Sequence, residues 1–325
     1  MPKERSHLLI AREILGRLNN AALRQLIERH AAAYYLGAII PDLKNYDLFG
    51  RVEFAHVADF IHDLVETKNS GLIFQMLSKL KQEAVISEEL MVFILGYITH
   101  AVSDAIFHPL VYYFTGNYYD SDPRQRARSL AAHIAFETLL ELALFRSAGE
   151  TLADFEPAQL CQLTLSRRRA IFRYFARILS EECNEKEEKL FLALNRSYPI
   201  FLIISRWFPR PLYYHLARFA SLLSFGRLRK YIGFFHPPRL KVLAPLFTEP
   251  VEFKHPFTGE NITTSVESLK DQAIRLGVSC LNTAYAVCLG ALSLEQLQAL
   301  LENKNMNTGT RLPASQLKYC SPAGY

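Results

Sequence analysis

Apolar residues recur at spacings of three and four along most of this chain, and that period constrains the fold more than any other feature. Leu8, Leu9, Ile14, Leu15 and Leu18 open the pattern, and Leu77, Leu80, Leu90, Phe93, Ile94 and Tyr97 continue it. Such a period lays one apolar stripe along an α-helix. Strand-like alternation is scarce. Only Val251 to Ile262, with charged and aromatic residues around Pro256 and Gly259, reads as a loop or short hairpin. The expected class is therefore all-α. With 325 residues, half of them hydrophobic, the chain can fill a core, which excludes disorder as its main state.

Gly149 to Pro157 brackets small and acidic residues between a Gly and a Pro after a long apolar stretch. A domain boundary is expected there, dividing residues 1–150 from a helical, basic and aromatic extension over 151–325. The tail from Asn303 to Tyr325 is expected to be loosely held. The N-terminus, with Leu8, Leu9 and Ile10 followed soon by Arg12 and Glu13, is not expected to act as a signal peptide. The longest uncharged run, Leu276 to Leu294, carries Ser279, Asn282, Thr283 and two glycines, and is expected to be a buried helix rather than a membrane span. Five widely spaced cysteines without a C-x-x-C pair suit reduced thiols in a cytosol. Cytoplasmic placement, with peripheral contact at the inner membrane face, is the corresponding expectation.

The ten histidines are unevenly placed, seven of them between His7 and His133. The densest signal runs from Gly96 to Pro109. On a helix, residues four apart are displaced by about 40° and one turn, so His100, Asp104 and His108 form one slanted polar row. Two imidazoles and a carboxylate then face one way within Ile98, Val102, Ile106 and Phe107. Pro109 disfavours helical geometry at His108, which places that histidine at the expected helix end. His133 and Glu137 are also four apart, in an equally apolar run. Burying them is costly unless a partner neutralises them, and zinc is one such partner. Taken alone, a His–Glu hydrogen bond facing water is the plainer account. Asp42, after Pro41, alone suits a loop carboxylate or helix cap, and His7 alone suits an exposed residue. Together with His56, the set supplies the ligand types of a multinuclear hydrolytic zinc site, all within the first 137 residues.

In this order, His7, Asp42, His56, His100, Asp104, His108, His133 and Glu137, the chain resembles the bacterial zinc-dependent phospholipases C, whose fold is related to that of the single-strand-specific zinc nucleases. The resemblance covers roughly residues 1 to 145 and implies a helical bundle bearing a C-terminal extension. By position it implies one zinc held by Asp42, His56, His100 and Asp104, and a second held by His108, His133 and Glu137. A third would use His7 and the other oxygen of Asp104. Two zinc ions are expected, because secreted members complete the third site with an N-terminal Trp, and here the only Trp is Trp207. The spacing of four from Asp104 to His108 also departs from the six of the secreted toxins.

The implied activity is hydrolysis of a phosphate ester, most directly in a phospholipid, with Asp42 as ligand and general base. A nuclease or phosphatase on the same fold is the enzymatic alternative. A helical binding protein with a residual metal site is the non-enzymatic one. Lys189 to Lys241 holds ten Lys or Arg and no Asp or Glu, twice the chain's net charge of +5. With Trp207, Phe208, Tyr213, Tyr214, Phe234 and Phe235 it suits an anionic lipid interface or single-stranded nucleic acid, and equally a core whose Arg heads reach solvent.

Overall fold

The computed structural model describes residues 3–47, 57, 61, 71–152, 155–224, 228–237, 247–302 and 305–321. Among them the fold is all-α apart from one hairpin. Helix α1 spans Glu4–Gly16, α2 Ala21–Arg29 and α3 Ala31–Ile39, which runs into a 3-10 turn at Ile40–Tyr46. Then come α4 (Leu72–Gln82), α5 (Glu88–Thr115), α6 (Pro123–Ser147) and the short α7 (Pro157–Leu160). The second half holds α8 (Leu165–Cys183), α9 (Glu187–Ile204), α10 (Pro211–Leu223) and α11 (Arg229–Ile232). Strands β1 (Val251–Lys254) and β2 (Asn261–Thr264) pair antiparallel, with Val251 opposite Thr264, and α12 (Val266–Cys288) and α13 (Leu294–Leu301) follow.

Helix α5 is the axis of the core. Its start is set by Ser87, whose hydroxyl accepts from Leu90 N, and by Glu88 and Glu89 in the first turn, where the helix dipole favours negative charge. Its end is set by Gly116 at φ 79°. By length and a mean hydropathy of 1.7 it could cross a membrane, but 89% of that apolar stretch is buried inside the protein. Thr99 and Ser103 satisfy their hydroxyls on the carbonyls of Gly96 and Thr99 within the helix.

Pro109 does not end α5 at His108, as its effect on the preceding residue suggested; the helix continues to Thr115. The missing N–H costs one bond to the Ala105 carbonyl, and burial on all sides outweighs that loss. The notch is filled by the tail. Gly309, at φ 65°, lies so close to the Ala105 carbonyl and the Pro109 ring that a side chain there would collide with both.

The described part of the tail, residues 305–321, is accordingly not loose. Asn305, Met306, Asn307 and Thr308 are buried, Lys318 and Tyr319 donate to the Pro256 carbonyl of the hairpin loop, and Ser321 donates to Tyr113. Backbone bonds to the hairpin and burial of Met306 anchor a segment whose composition alone looked unstructured. The run Leu276 to Leu294 is half-buried rather than buried: Cys280, Leu281, Ala284 and Val287 face the core, and the helix stops at Cys288.

Two glycines bring the site together. Helices α3 and α5 cross at Gly37 and Gly96, where a Cβ on Gly37 would lie 2.8 Å from Tyr97 N and one on Gly96 2.8 Å from the Tyr34 carbonyl carbon. Backbone therefore touches backbone, and the Pro41–Asp42 turn is carried directly over the His100 face of α5. One buried apolar cluster joins residues on both sides of 149–157, including Phe145, Phe201 and Leu281, with Phe155 of the segment itself among them. The first turn of α1 is fastened to the second half as well: Arg5 donates to the carbonyls of Phe155 (3.2 Å) and Ser205 (2.7 Å).

Candidate metal centre

Three helices and one turn deliver the polar residues to a single interior region. Helix α1 brings His7, the 3-10 turn brings Asp42, α5 brings His100, Asp104 and His108, and α6 brings His133 and Glu137. The first five are 0–1% exposed and His133 is 5% exposed. His56 lies outside the described residues.

The ligand-type atoms form two groups. Those of His7, Asp42 and His100 all lie within 4.8 Å of one another, as do those of His108, His133 and Glu137. His7, which the resemblance assigns to a third zinc, thus stands with Asp42 and His100. Its ring stacks on that of His100 with centroids 3.9 Å apart. Asp104 sits between them, one oxygen 3.2 Å from His7 Nε2 and the other 3.2 Å from His100 Nε2. In the second group His133 Nε2 is 2.8 Å from Glu137 Oε1. The Glu137 side chain retains 13% exposure, so this group is the one that opens toward solvent.

Charge shapes these groups as much as distance does. Burial alone would raise the Asp104 carboxyl, but His100, His108 and His7 hold it well below the usual carboxylate range. Burial opposes protonation of His100, yet Asp104 and Asp42 outweigh it and raise its pKa. His7 is lowered, first by burial and then by His100 beside it, and burial holds His133 well below its ordinary value.

A family model described as zinc dependent phospholipase C matches residues 6–194, over half the chain. The chain belongs to the zinc-dependent phospholipase C family. The match runs past the 145 residues of the sequence resemblance and across the 149–157 segment. No curated protein and no solved structure matches the chain.

The residues of this phospholipase C family member fit zinc on one specific ground. His100 Nδ1 donates to the Ala38 carbonyl at 2.9 Å, and His108 Nδ1 donates to the Met306 carbonyl. A carbonyl only accepts, so both rings carry their proton on Nδ1 and, when neutral, present a lone pair from Nε2. For His100 that lone pair faces the Asp104 carboxylate at 3.2 Å. Two acceptors so placed need a proton or a cation between them, and carbonyl-anchored imidazoles with carboxylates are the donor set zinc takes.

Several contributors were not read from the sequence. Gly37 and Gly96 set the crossing that lays the Ala38 carbonyl on His100, and no sequence spacing reveals that contact. Met306 sits in the tail thought loose. Glu141, one turn beyond Glu137, accepts from Ser6 N at 3.2 Å and from His236 at 2.8 Å, which pins the turn carrying His7. Tyr112 and Tyr118 wall the second group, their ring centroids 5.4 and 4.9 Å from that of His133. The remaining described histidines serve elsewhere: His30 pairs with Glu88 on the surface, His215 is exposed, and His255 accepts backbone bonds at the hairpin turn.

Proposed function

We propose that the chain hydrolyses a phosphodiester bond in a phospholipid, with His7, Asp42, His100 and Asp104 around one zinc, to which the family resemblance adds His56, and His108, His133 and Glu137 around a second. The carrying observation is the pair of ligand groups with Asp104 beside the first and its field reaching His108. Zinc, when bound, supplies an acidified water and neutralises charge on phosphoryl oxygens. The chain supplies the rest. Asp42, on the 3-10 turn and 1% exposed, is assigned as the base that orients or deprotonates the attacking water. The carbonyls of Ala38 and Met306 fix the tautomer and aim of His100 and His108. The half-buried Tyr118 and Tyr119, with buried Tyr112, shield the second group where Glu137 opens to solvent.

The test is metal analysis of protein purified without chelator, followed by turnover of a soluble phosphodiester and of phospholipid. Two zinc ions per chain in the wild type, with the zinc of the first group and the activity both lost in His100→Ala, is the expected result. A chain that binds no zinc, or a His100→Ala variant that keeps both zinc and activity, refutes the reading. Cleavage of single-stranded nucleic acid without cleavage of lipid would replace the substrate assignment.

A further inference from the structure

Helix α10 inverts the usual burial of an amphipathic helix. Leu212, Leu216, Phe219 and Leu223 follow spacings of four, three and four, which is one helical face. A globular protein turns such a stripe inward. Here those residues are 63%, 50%, 59% and 66% exposed, with Leu222 beside them at 76%, and Ser221 alone on the helix is buried. At the N-terminal end Trp207 stacks on Tyr213, centroids 5.0 Å apart. Arg210, the N-cap of this helix, and Arg218 within it are exposed and have no acidic partner among the described residues.

We propose that this face of α10 docks on an anionic phospholipid bilayer. Charge decides the occupant. No Asp or Glu lies between residues 189 and 241, so a second copy laid on the same face would set Arg210 and Arg218 against cations with no carboxylate to answer them. An anionic bilayer supplies both an apolar interior for the leucines and Phe219 and negative headgroups for the arginines. The face is also tied to the helix that carries His133 and Glu137. Gly233, just after α11, packs on Ala135 of α6, and its carbonyl accepts from Thr138 Oγ1 at 2.5 Å. Docking would hold the candidate site beside its lipid; in that purpose the inference rests on the proposed function, although binding itself needs no turnover.

The experiment is flotation of the full chain with vesicles of phosphatidylcholine alone or with added phosphatidylglycerol, alongside turnover of a soluble short-chain phosphodiester. The chain is expected to float with the anionic vesicles. Phe219→Glu with Leu222→Glu, both at exposed positions, should lower the bound fraction at least about tenfold and leave soluble turnover unchanged. Arg210→Glu with Arg218→Glu should abolish the preference for anionic over neutral vesicles. A wild-type chain that stays unbound, or a Phe219/Leu222 variant that floats equally well, overturns the proposal. So does light scattering that shows a dimer split by that variant, since the face would then belong to a second copy. Vesicle binding without hydrolysis of any phosphodiester would leave docking intact and refute the functional reading instead.

Discussion

Gly96→Ala tests how the site is built. The new Cβ would lie against the Tyr34 carbonyl oxygen, 2.8 Å from the Tyr34 carbonyl carbon and 3.1 Å from Ala38 N. All three are backbone atoms, so no rotamer relieves the clash and α3 must move off α5. Overpacking costs about 1–3 kcal/mol, and an unyielding backbone contact belongs at the upper end. Alanine returns about 1 kcal/mol of helix propensity. The net cost is about 2 kcal/mol, a lowering of the thermal midpoint by a few degrees. Separation of the helices also withdraws the Ala38 carbonyl from His100 Nδ1, and loss of such a partner lowers metal affinity about 10- to 100-fold. Gly16→Ala is the control: it lies at the end of a helix with nothing within 4 Å of its would-be Cβ, so the same exchange should be neutral or stabilising by up to about 1 kcal/mol. Thermal unfolding with and without zinc, and competition against a zinc chelator, read both quantities. A Gly96→Ala protein as stable as wild type, with unchanged zinc affinity, would show that the helix crossing does not set the geometry of His100.

Ending the chain after residue 302 removes the Met306 acceptor of His108, and zinc titration should show one of two sites weakened about 10- to 100-fold while the other holds. Glu137→Gln should lower zinc stoichiometry by one per chain in metal analysis, because a carboxamide is a far poorer zinc ligand than a carboxylate. Glu141 gives a pH signature: burial would raise its carboxyl, but His236, Lys3 and Arg5 depress it below its ordinary 4.5. Its contribution is present above that value and is lost as pH falls through the depressed folded pKa, so Glu141→Gln should be less stable than wild type at pH 7 and show a shallower loss in urea unfolding on acidification. Equal slopes for the two proteins would place the acid sensitivity elsewhere.

Helix class and the ligand row were legible because both depend on local period. His100, Asp104 and His108 share a face whatever surrounds the helix, and the stripes of α1 and α4 follow the same rule. The antiparallel hairpin at Val251–Thr264 was legible from its turn residues. What period does not carry is contact between distant segments. The Pro109 rule is local and was overridden by packing around the whole of α5. The docking of Asn305–Gly309 depends on a notch two hundred residues upstream, and polar composition alone could not distinguish it from a loose end. The same limit hid the grouping of His7 with Asp42 and His100, which follows from where α1 crosses the core. It also hid the outward face of α10, whose period reads identically for a buried stripe and an exposed one.

The long apolar helix α5 also carries more candidate site residues than any other described helix, and the two facts have one cause. A row of imidazoles and a carboxylate at 0% exposure is tolerable only where each polar atom has a partner. The anchoring partners come from outside the row: a carbonyl from α3 for His100, a carbonyl from the tail for His108, and imidazole and carboxylate neighbours from α1 and α6. Apolar packing on the rest of α5 excludes water and fixes these partners, which sharpens every electrostatic interaction inside. The buried carboxylates are faced by histidines from α1, α5 and α6, a donor set that suits zinc. Core packing and three of the candidate ligands therefore share the twenty-eight residues of α5, the apolar positions building the dry interior and the i, i+4 polar row lying within it.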